Sequence, residues 1–454
     1  MSARPATPAR PSRLLLALAA GTAAMLGSVV IAGPSFAATT PATTPATTPA
    51  ATPPAATPAV TTASASDLGL FGVQDPTYDG VYRQGLALLA LTAAGQTPDP
   101  RAVTWLLSQQ CADGAFTAYR ADPTVACTAA HEDENATAMA IQALVALGKP
   151  TDTAITALKH FQLADGGFYD NAAFGAPASD ANSTGLALSA FAAVGVDATS
   201  VTNNGKDADD YLRSIQLPCS AAKGAGAYDF QPEATLAAND YATVQAALGE
   251  LGKALPVATA SVSSATPTCA AASDAAGSAN NAIAYLAGRL LATNGAIPSG
   301  FGSGTDETSS ANAVLDLVAA GQGSTAVTAG VNALTANAKA YTQTSGSYAP
   351  GPLATLVLVA KAAGGDVASF GGLDLASTLA ATERTAVTPA PSPVATPIAR
   401  PVAVPTGAPT LPMTGDRGIV PLTALGGGLL LLGFGGIFAA RRRSSTASAG
   451  GANA

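Results

Sequence analysis

Three stretches of the chain repeat one pattern of apolar and polar positions: NATAMAIQALVALG from Asn135, NSTGLALSAFAAVG from Asn182 and NDYATVQAALGELG from Asn239. Each opens on Asn and carries small or apolar side chains nearly all the way round a helical period. Each reaches Gly thirteen residues on, at Gly148, Gly195 and Gly252. Asn at an N-cap and Gly just past the last turn bracket a helix of about twelve residues. RQGLALLALTAAG, ending at Gly95, and SSANAVLDLVAAG, ending at Gly321, are looser copies without the Asn. A helix that is apolar on every side is buried on every side.

A second kind of helix follows each of the first: PDPRAVTWLLSQQ, TDTAITALKHFQ, DADDYLRSIQ and, later, ANNAIAYLAGRLLATNG. These are more amphipathic; in DYLRSIQ, Asp210 and Arg213 stand opposite Leu212 and Ile215. Gln110, Gln162 and Gln216 close three of them, at spacings of 52 and 54 residues. The unit is a helical hairpin of roughly fifty residues, present about five or six times between Asp67 and Arg384. No run of alternating apolar residues suggests a sheet, so the fold class is all-α. Buried inner helices wrapped by a second layer satisfy both patterns, as a closed ring or as an open superhelix.

The connections repeat as well. LLSQQCADGAFTAY and HFQLADGGFYDN both run from a helix through Gln to a polar-Gly turn and an aromatic, and YLRSIQLPCSAAKGAGAYDF echoes them. This arrangement, sharpest in Gln110–Phe116 and Gln162–Phe168, resembles the QW-type repeat of the prenyltransferase and terpenoid-cyclase superfamily. The resemblance implies an α/α toroid over residues 67–384. It also implies that Gln caps neighbouring backbone groups, that Gly permits the turn, and that Phe116 and Phe168 plug between hairpins. The repeat is architecture and carries no reaction.

The two ends read as addresses. Arg4, Arg10 and Arg13 precede an apolar run from Leu14 to Ala32 and small residues at Ser35 and Ala37, the pattern of a secretory signal peptide over 1–37. At the other end Leu411, Pro412, Met413, Thr414 and Gly415 precede an apolar span, 419–440, and Arg441, Arg442 and Arg443. These three parts resemble the LPxTG sorting signal of Gram-positive surface proteins. What that implies is export, a membrane helix before sorting, and covalent attachment. A sortase would attack the Thr414 carbonyl, and a peptidoglycan amine would resolve the acyl-enzyme. Residues 38–66 and 385–410 are Thr/Pro/Ala-rich linkers without core-forming side chains. Extended at about 3.1 Å per residue, the second is a stalk of roughly 80 Å.

Composition agrees with life outside the cell. The net charge is −8; cleavage at both ends removes seven of 21 basic and one of 29 acidic residues, leaving −14. So acidic a chain is unsuited to nucleic acid or to an anionic membrane face. Of three possible pairings of four cysteines, the local one joins Cys111 to Cys127 and Cys219 to Cys269. Their spacings fit no zinc pattern, and His131 and His160 are the only histidines, so neither metal nor cofactor is expected.

Two residue sets bear on chemistry. Asp207, Asp209 and Asp210 match the DxDD acid of class II terpenoid cyclases, which protonate an alkene with a carboxylic acid held neutral in a dry cavity. Acidic residues in a first helical turn are also favoured by the helix dipole alone, and aromatics make up only 5% of the chain, few for steadying a carbocation. The second set is a rim at the starts of the inner helices: Glu132, Glu134, Asp180, Asn182, Asn239, Asp240, Asp306 and Glu307. In a toroid these would converge on one mouth, with Tyr82, Tyr228 and Tyr241 as stacking surfaces. They would equally serve as caps. The expectation is a wall-anchored toroid that binds a small hydrophobic, corrinoid or glycan ligand without catalysis; the alternatives are a cyclase and an adhesin or spacer.

Overall fold

The computed structural model describes residues 67–385, except positions 233 and 301. The signal peptide, both linkers, the sorting motif and the apolar span 419–440 lie outside the described residues. Twelve α-helices account for nearly half of what is described. Numbered in chain order, the odd ones are α1 (Gly80–Ala93), α3 (Glu134–Ala146), α5 (Ala181–Val194), α7 (Asp240–Glu250), α9 (Glu307–Ala320) and α11 (Pro350–Ala362). The even ones are α2 (Pro100–Ser108), α4 (Asp152–Leu158), α6 (Ala208–Ser214), α8 (Ala275–Ala292), α10 (Ser324–Thr342) and α12 (Leu375–Ala380). A two-stranded hairpin, β1 (Gln343–Thr344) with β2 (Ser347–Tyr348), is the only sheet among the described residues.

The odd helices pack in sequence, α1 on α3, α3 on α5, and so on to α9 on α11, and α11 returns to α1. The ring is therefore closed, and the fold is an all-α toroid of six hairpins. The even helices form the outer layer: α2 on α1, α4 between α3 and α5, α6 on α5, α8 on α7 and α9, α12 between α11 and α1. This is why the inner helices are apolar all round. Each meets two inner neighbours and an outer wrap, and Leu88, Ile141, Ala187, Ala246, Val314 and Leu356, one per inner helix, are wholly buried. Small residues let the inner layer close. α5 and α7 touch backbone to backbone, since a Cβ on Gly185 would fall 2.3 Å from the Gln245 carbonyl oxygen.

All six inner helices end on a Gly with positive φ: Gly95, Gly148, Gly195, Gly252, Gly321 and Gly364. Their starts differ from the sequence expectation. Asp133 and Asp180, not Asn135 and Asn182, cap α3 and α5, accepting from the Ala136 and Ser183 amides. Only Asn239 caps as expected, because Ala237, two residues before it, offers no acceptor.

The connecting turns are built alike. Gln110 and Gln162 each donate from Nε2 to the carbonyl of the turn Gly, Gly114 or Gly166, at 3.0 Å, and Gln216 donates to Gly226 at 3.1 Å. Gln162 and Gln216 also bond the neighbouring hairpin, at Val201 and Ser278. The aromatic that follows, Phe116, Phe168 or Tyr228, is fully buried and hands its amide to a threonine of the next inner helix, Thr137, Thr184 or Thr243. The turn thus ties each outer helix to the next inner one. Both expected disulfides, Cys111–Cys127 and Cys219–Cys269, are present.

Candidate functional site: the shaft and its acidic lip

A ring of six helices leaves an axis, and side chains decide whether it is filled. Here a cavity of about 80 Å³ remains, within a depression of about 640 Å³ continuous with solvent. Every inner helix lines it, with Leu86, Gln142, Leu186, Leu248, Asp316 and Leu358 from α1, α3, α5, α7, α9 and α11. At a rise of about 1.5 Å per residue, Gln142 and Asp316 sit about 12–14 Å below the first residues of their helices.

The segment between α7 and α8 crosses the far end of the ring. The Leu255 amide donates to Gln142 Oε1 at 2.9 Å, the Thr259 hydroxyl to the Lys361 carbonyl at 2.6 Å, and the Ser263 amide to the Gly321 carbonyl at 2.9 Å. One strand of chain therefore bonds α3, α11 and the end of α9 in turn, and Leu255 closes the floor of the cavity.

Two polar atoms in the wall have no protein partner. Leu255 satisfies the oxygen of Gln142, but Nε2 of that amide donates to nothing, and Oδ2 of Asp316 is likewise unpaired; both residues are 1% exposed. Burial alone pushes the Asp316 carboxyl well above its ordinary range. An unsatisfied buried polar group costs about 1–3 kcal/mol. Neither residue was singled out from the sequence. The signal was there in SSANAVLDLVAAG, where Asp316 interrupts the middle of an otherwise buried helix.

Around the lip, three of the eight expected rim residues, Glu134, Asp180 and Asn182, come together. The Tyr241 hydroxyl donates to Asn182 Oδ1 (3.2 Å), Asn182 Nδ2 to Asn135 Oδ1 (3.0 Å), and Asn135 Nδ2 to Asp170 Oδ1 (2.9 Å). Moving the caps to Asp133 and Asp180 is what frees the two asparagines for this chain. Burial is the main cause of upward shifts at Glu134 and Asp133, to well above the usual carboxylate range. It also takes Asp180 to about 7 and Asp170 to about 6. Tyr82, in the cavity wall, is raised to about 12, by burial and then by Glu134. Asp170, in the loop before α5, was not anticipated.

The remaining rim residues point to other tasks. Asp240 accepts from Arg289 Nε (2.8 Å) and from the Tyr285 hydroxyl, both on α8. Glu307 accepts from Asn337 on α10 and from Thr305. Asp306 and Asn239 are caps. Glu132 lies beside Asp113 near the first disulfide, where burial and then Asp113 raise its carboxyl. Tyr228 offers no stacking surface: it is the third turn's plug, 0% exposed, with its hydroxyl on Ser278 Oγ at 2.8 Å.

The DxDD residues lie in the outer layer. Asp207 caps α6 in a reciprocal capping box with Asp210, and Arg213 binds Asp209 (2.9 Å) and Asp210 (2.9 Å). The Asp207 carbonyl fills the space where a Cβ on Gly166 would go, 2.0 Å away, so the motif is wedged against the preceding turn. None of the three lines the cavity. The nearest approach to a metal site among the described residues is Cys111, Asp113 and Glu132, and the sulfur there is already in a disulfide. No described helix is long and apolar enough to cross a membrane.

No family model and no curated relative matches the sequence. Solved structures do. A protein from Actinoplanes is 16% identical, with 72% of this chain and 96% of that one covered at a TM-score of 0.38. The type II terpene cyclase MstE from Scytonema, as a variant holding geranylgeranyl dihydroxybenzoate, is 13% identical over 63% of this chain and 76% of its own, at 0.38. Its ligand-free form is 16% identical over 60% and 71%, at 0.36. The toroid itself rests on the closed cycle of helix contacts.

Proposed function

We propose that this chain is a surface receptor: exported, joined by a sortase through Thr414 to peptidoglycan, and presenting a non-catalytic toroid whose central shaft takes up a small polar ligand. The observation that carries the binding half is the pair of unpartnered atoms, Gln142 Nε2 and Asp316 Oδ2, in the wall of one cavity. A carboxyl that burial holds well above its usual range and an amide N–H together offer hydrogen bonds to a hydroxyl, amide or amine. At about 80 Å³ the cavity is well below the usual size of a ligand pocket, so it suits such a small group better than a polycyclic ring system. The anchoring half rests on the order of motif, apolar span and basic tail in residues 411–443.

The cyclase reading has less support. An isoprenoid needs a pocket of roughly 300 Å³ or more, enclosed on most sides. Here the DxDD acids stand in the outer layer, two of them ion-paired to Arg213.

The test is a thermal-shift and equilibrium-binding panel of small amines, amides and sugars on the purified protein, repeated with Asp316→Leu and Gln142→Leu. Ligands of the shaft raise the melting temperature of the wild type and lose that effect in both variants. A ligand whose shift survives both substitutions binds elsewhere, and that result would end the shaft reading.

A further inference from the structure

Glu134, the first residue of α3, is 0% exposed, and neither carboxylate oxygen has a hydrogen-bond partner. Three other carboxyl groups act on it, those of Asp180, Asp170 and Asp133. No ion pair among the described residues includes any of the four. At the starts of two other inner helices an acid does hold a cation: Asp240 pairs with Arg289, and Asp79 with Arg83. Around Glu134 the acids are gathered, and none of them has a cationic partner among the described residues.

Two half-buried tyrosines stand beside this cluster. Burial is the main cause that raises both hydroxyls; Glu134 adds to it at Tyr82, and Tyr82, Asp180 and Asp170 add to it at Tyr241. Tyr82 also lines the shaft, so the cluster borders the route to Gln142 and Asp316. A bare metal ion fits poorly, because it needs several oxygens within one coordination shell, and these carboxylates do not converge so closely. A larger organic cation needs no such close convergence, and the Tyr82 and Tyr241 hydroxyls stand near the acids.

We infer that the acids around Glu134 receive the ammonium group of an organic amine, whose neutral remainder extends towards the shaft. The placement of that remainder rests on the receptor reading above; the ammonium seat rests on the cluster. Burial, and then the neighbouring acids, push the Glu134 carboxyl well above its usual range and so favour its protonated form. An arriving ammonium reverses that balance, so Glu134 gives up its proton to solvent as the ion pair forms.

The test is isothermal titration of the purified full-length protein with 1,4-diaminobutane, butylamine, 1,4-butanediol and calcium chloride. It is run at pH 7 and constant ionic strength, in two buffers of different ionisation enthalpy. The expected result is amine binding about ten-fold or more tighter than diol binding, with heats that differ between buffers because protons are released. Glu134→Gln, which keeps the shape of the side chain, should abolish both the preference for amine and the buffer dependence, while Asp316→Leu should leave the buffer dependence in place. Equal affinity for amine and diol, no binding of either amine, or an unchanged amine preference in Glu134→Gln would each overturn the inference. So would calcium binding that Glu134→Gln removes. If neutral polar ligands bind through Asp316 and amines show no advantage, the ammonium seat falls and the receptor stands; if nothing binds, both fall.

Discussion

Asp67 and Arg384 lie 317 positions apart in sequence and 2.8 Å apart in space, Oδ2 to Nη1. The pair fastens the seam of the toroid. Around it the Gly69 amide donates to the Arg384 carbonyl (2.9 Å), the Arg384 amide returns to Leu70 (2.9 Å), and the Tyr119 hydroxyl reaches Asp67 Oδ1 (2.9 Å). The seam adds to the packing of α11 and α12 on α1 that closes the ring.

Arg384→Ala therefore opens the seam. The pair is only about one-tenth exposed, and losing one partner leaves the Asp67 charge partly buried. The expected destabilisation is about 2–4 kcal/mol by urea unfolding. A loss no larger than that of an ordinary surface substitution, below about 0.5 kcal/mol, would show that ring closure does not depend on it.

Glycine caps, helix lengths and the Gln–Gly–aromatic turns were legible in the sequence because they are local. A positive φ at Gly148 or Gly195 and a Gln bond to a carbonyl four residues on need nothing from elsewhere. The lip was half legible. Its residue types were visible, but which acid meets which depends on loops, so Asp170 was missed and Glu132 misplaced. The shaft was not legible. Nothing in the sequence shows that Leu255 will cross the ring to bond Gln142, 113 residues earlier, or that Asp316 will face the same void.

The DxDD motif should behave as a helix start. Asp207→Ala removes the cap of α6 and is expected to cost about 1 kcal/mol, while ligand-induced thermal shifts remain unchanged. A substitution at Asp209 or Asp210 that abolished turnover of an isoprenoid, with the fold intact by circular dichroism, would restore the cyclase reading.

Stability should fall as the solution becomes more alkaline. Asp180 is raised to about 7 and Asp170 to about 6, against an ordinary value near 4 in the unfolded chain. The folded protein thus holds protons that the unfolded chain has released, and their stabilisation, complete below pH 4, is lost as pH rises through 6 and 7. The melting temperature of the ligand-free protein should be higher at pH 5 than at pH 8. Asp180→Asn should flatten the profile, although Asn keeps a cap. A melting temperature that rises steadily from pH 5 to pH 8 would contradict the assignment.

Reduction should weaken the ring unequally. The disulfides close 16 and 50 residues, for which chain entropy gives about 3 and about 4 kcal/mol. Cys219→Ser with Cys269→Ser is expected to lower stability more than the matching change at Cys111 and Cys127, as calorimetry would show.

The tether has its own check. Mass spectrometry of wall digests should find a peptide ending at Thr414 and linked to a peptidoglycan amine. Recovery of residues beyond Gly415 in the mature surface protein would exclude sorting at that bond.

The receptor account turns on what occupies the shaft. A high-resolution crystal structure of the purified protein soaked with the best small amine or amide is the direct measurement. The account predicts ordered density in the cavity, within hydrogen-bond reach of both Gln142 Nε2 and Asp316 Oδ2. A cavity collapsed around those two side chains, or filled by protein atoms that satisfy them, would contradict it.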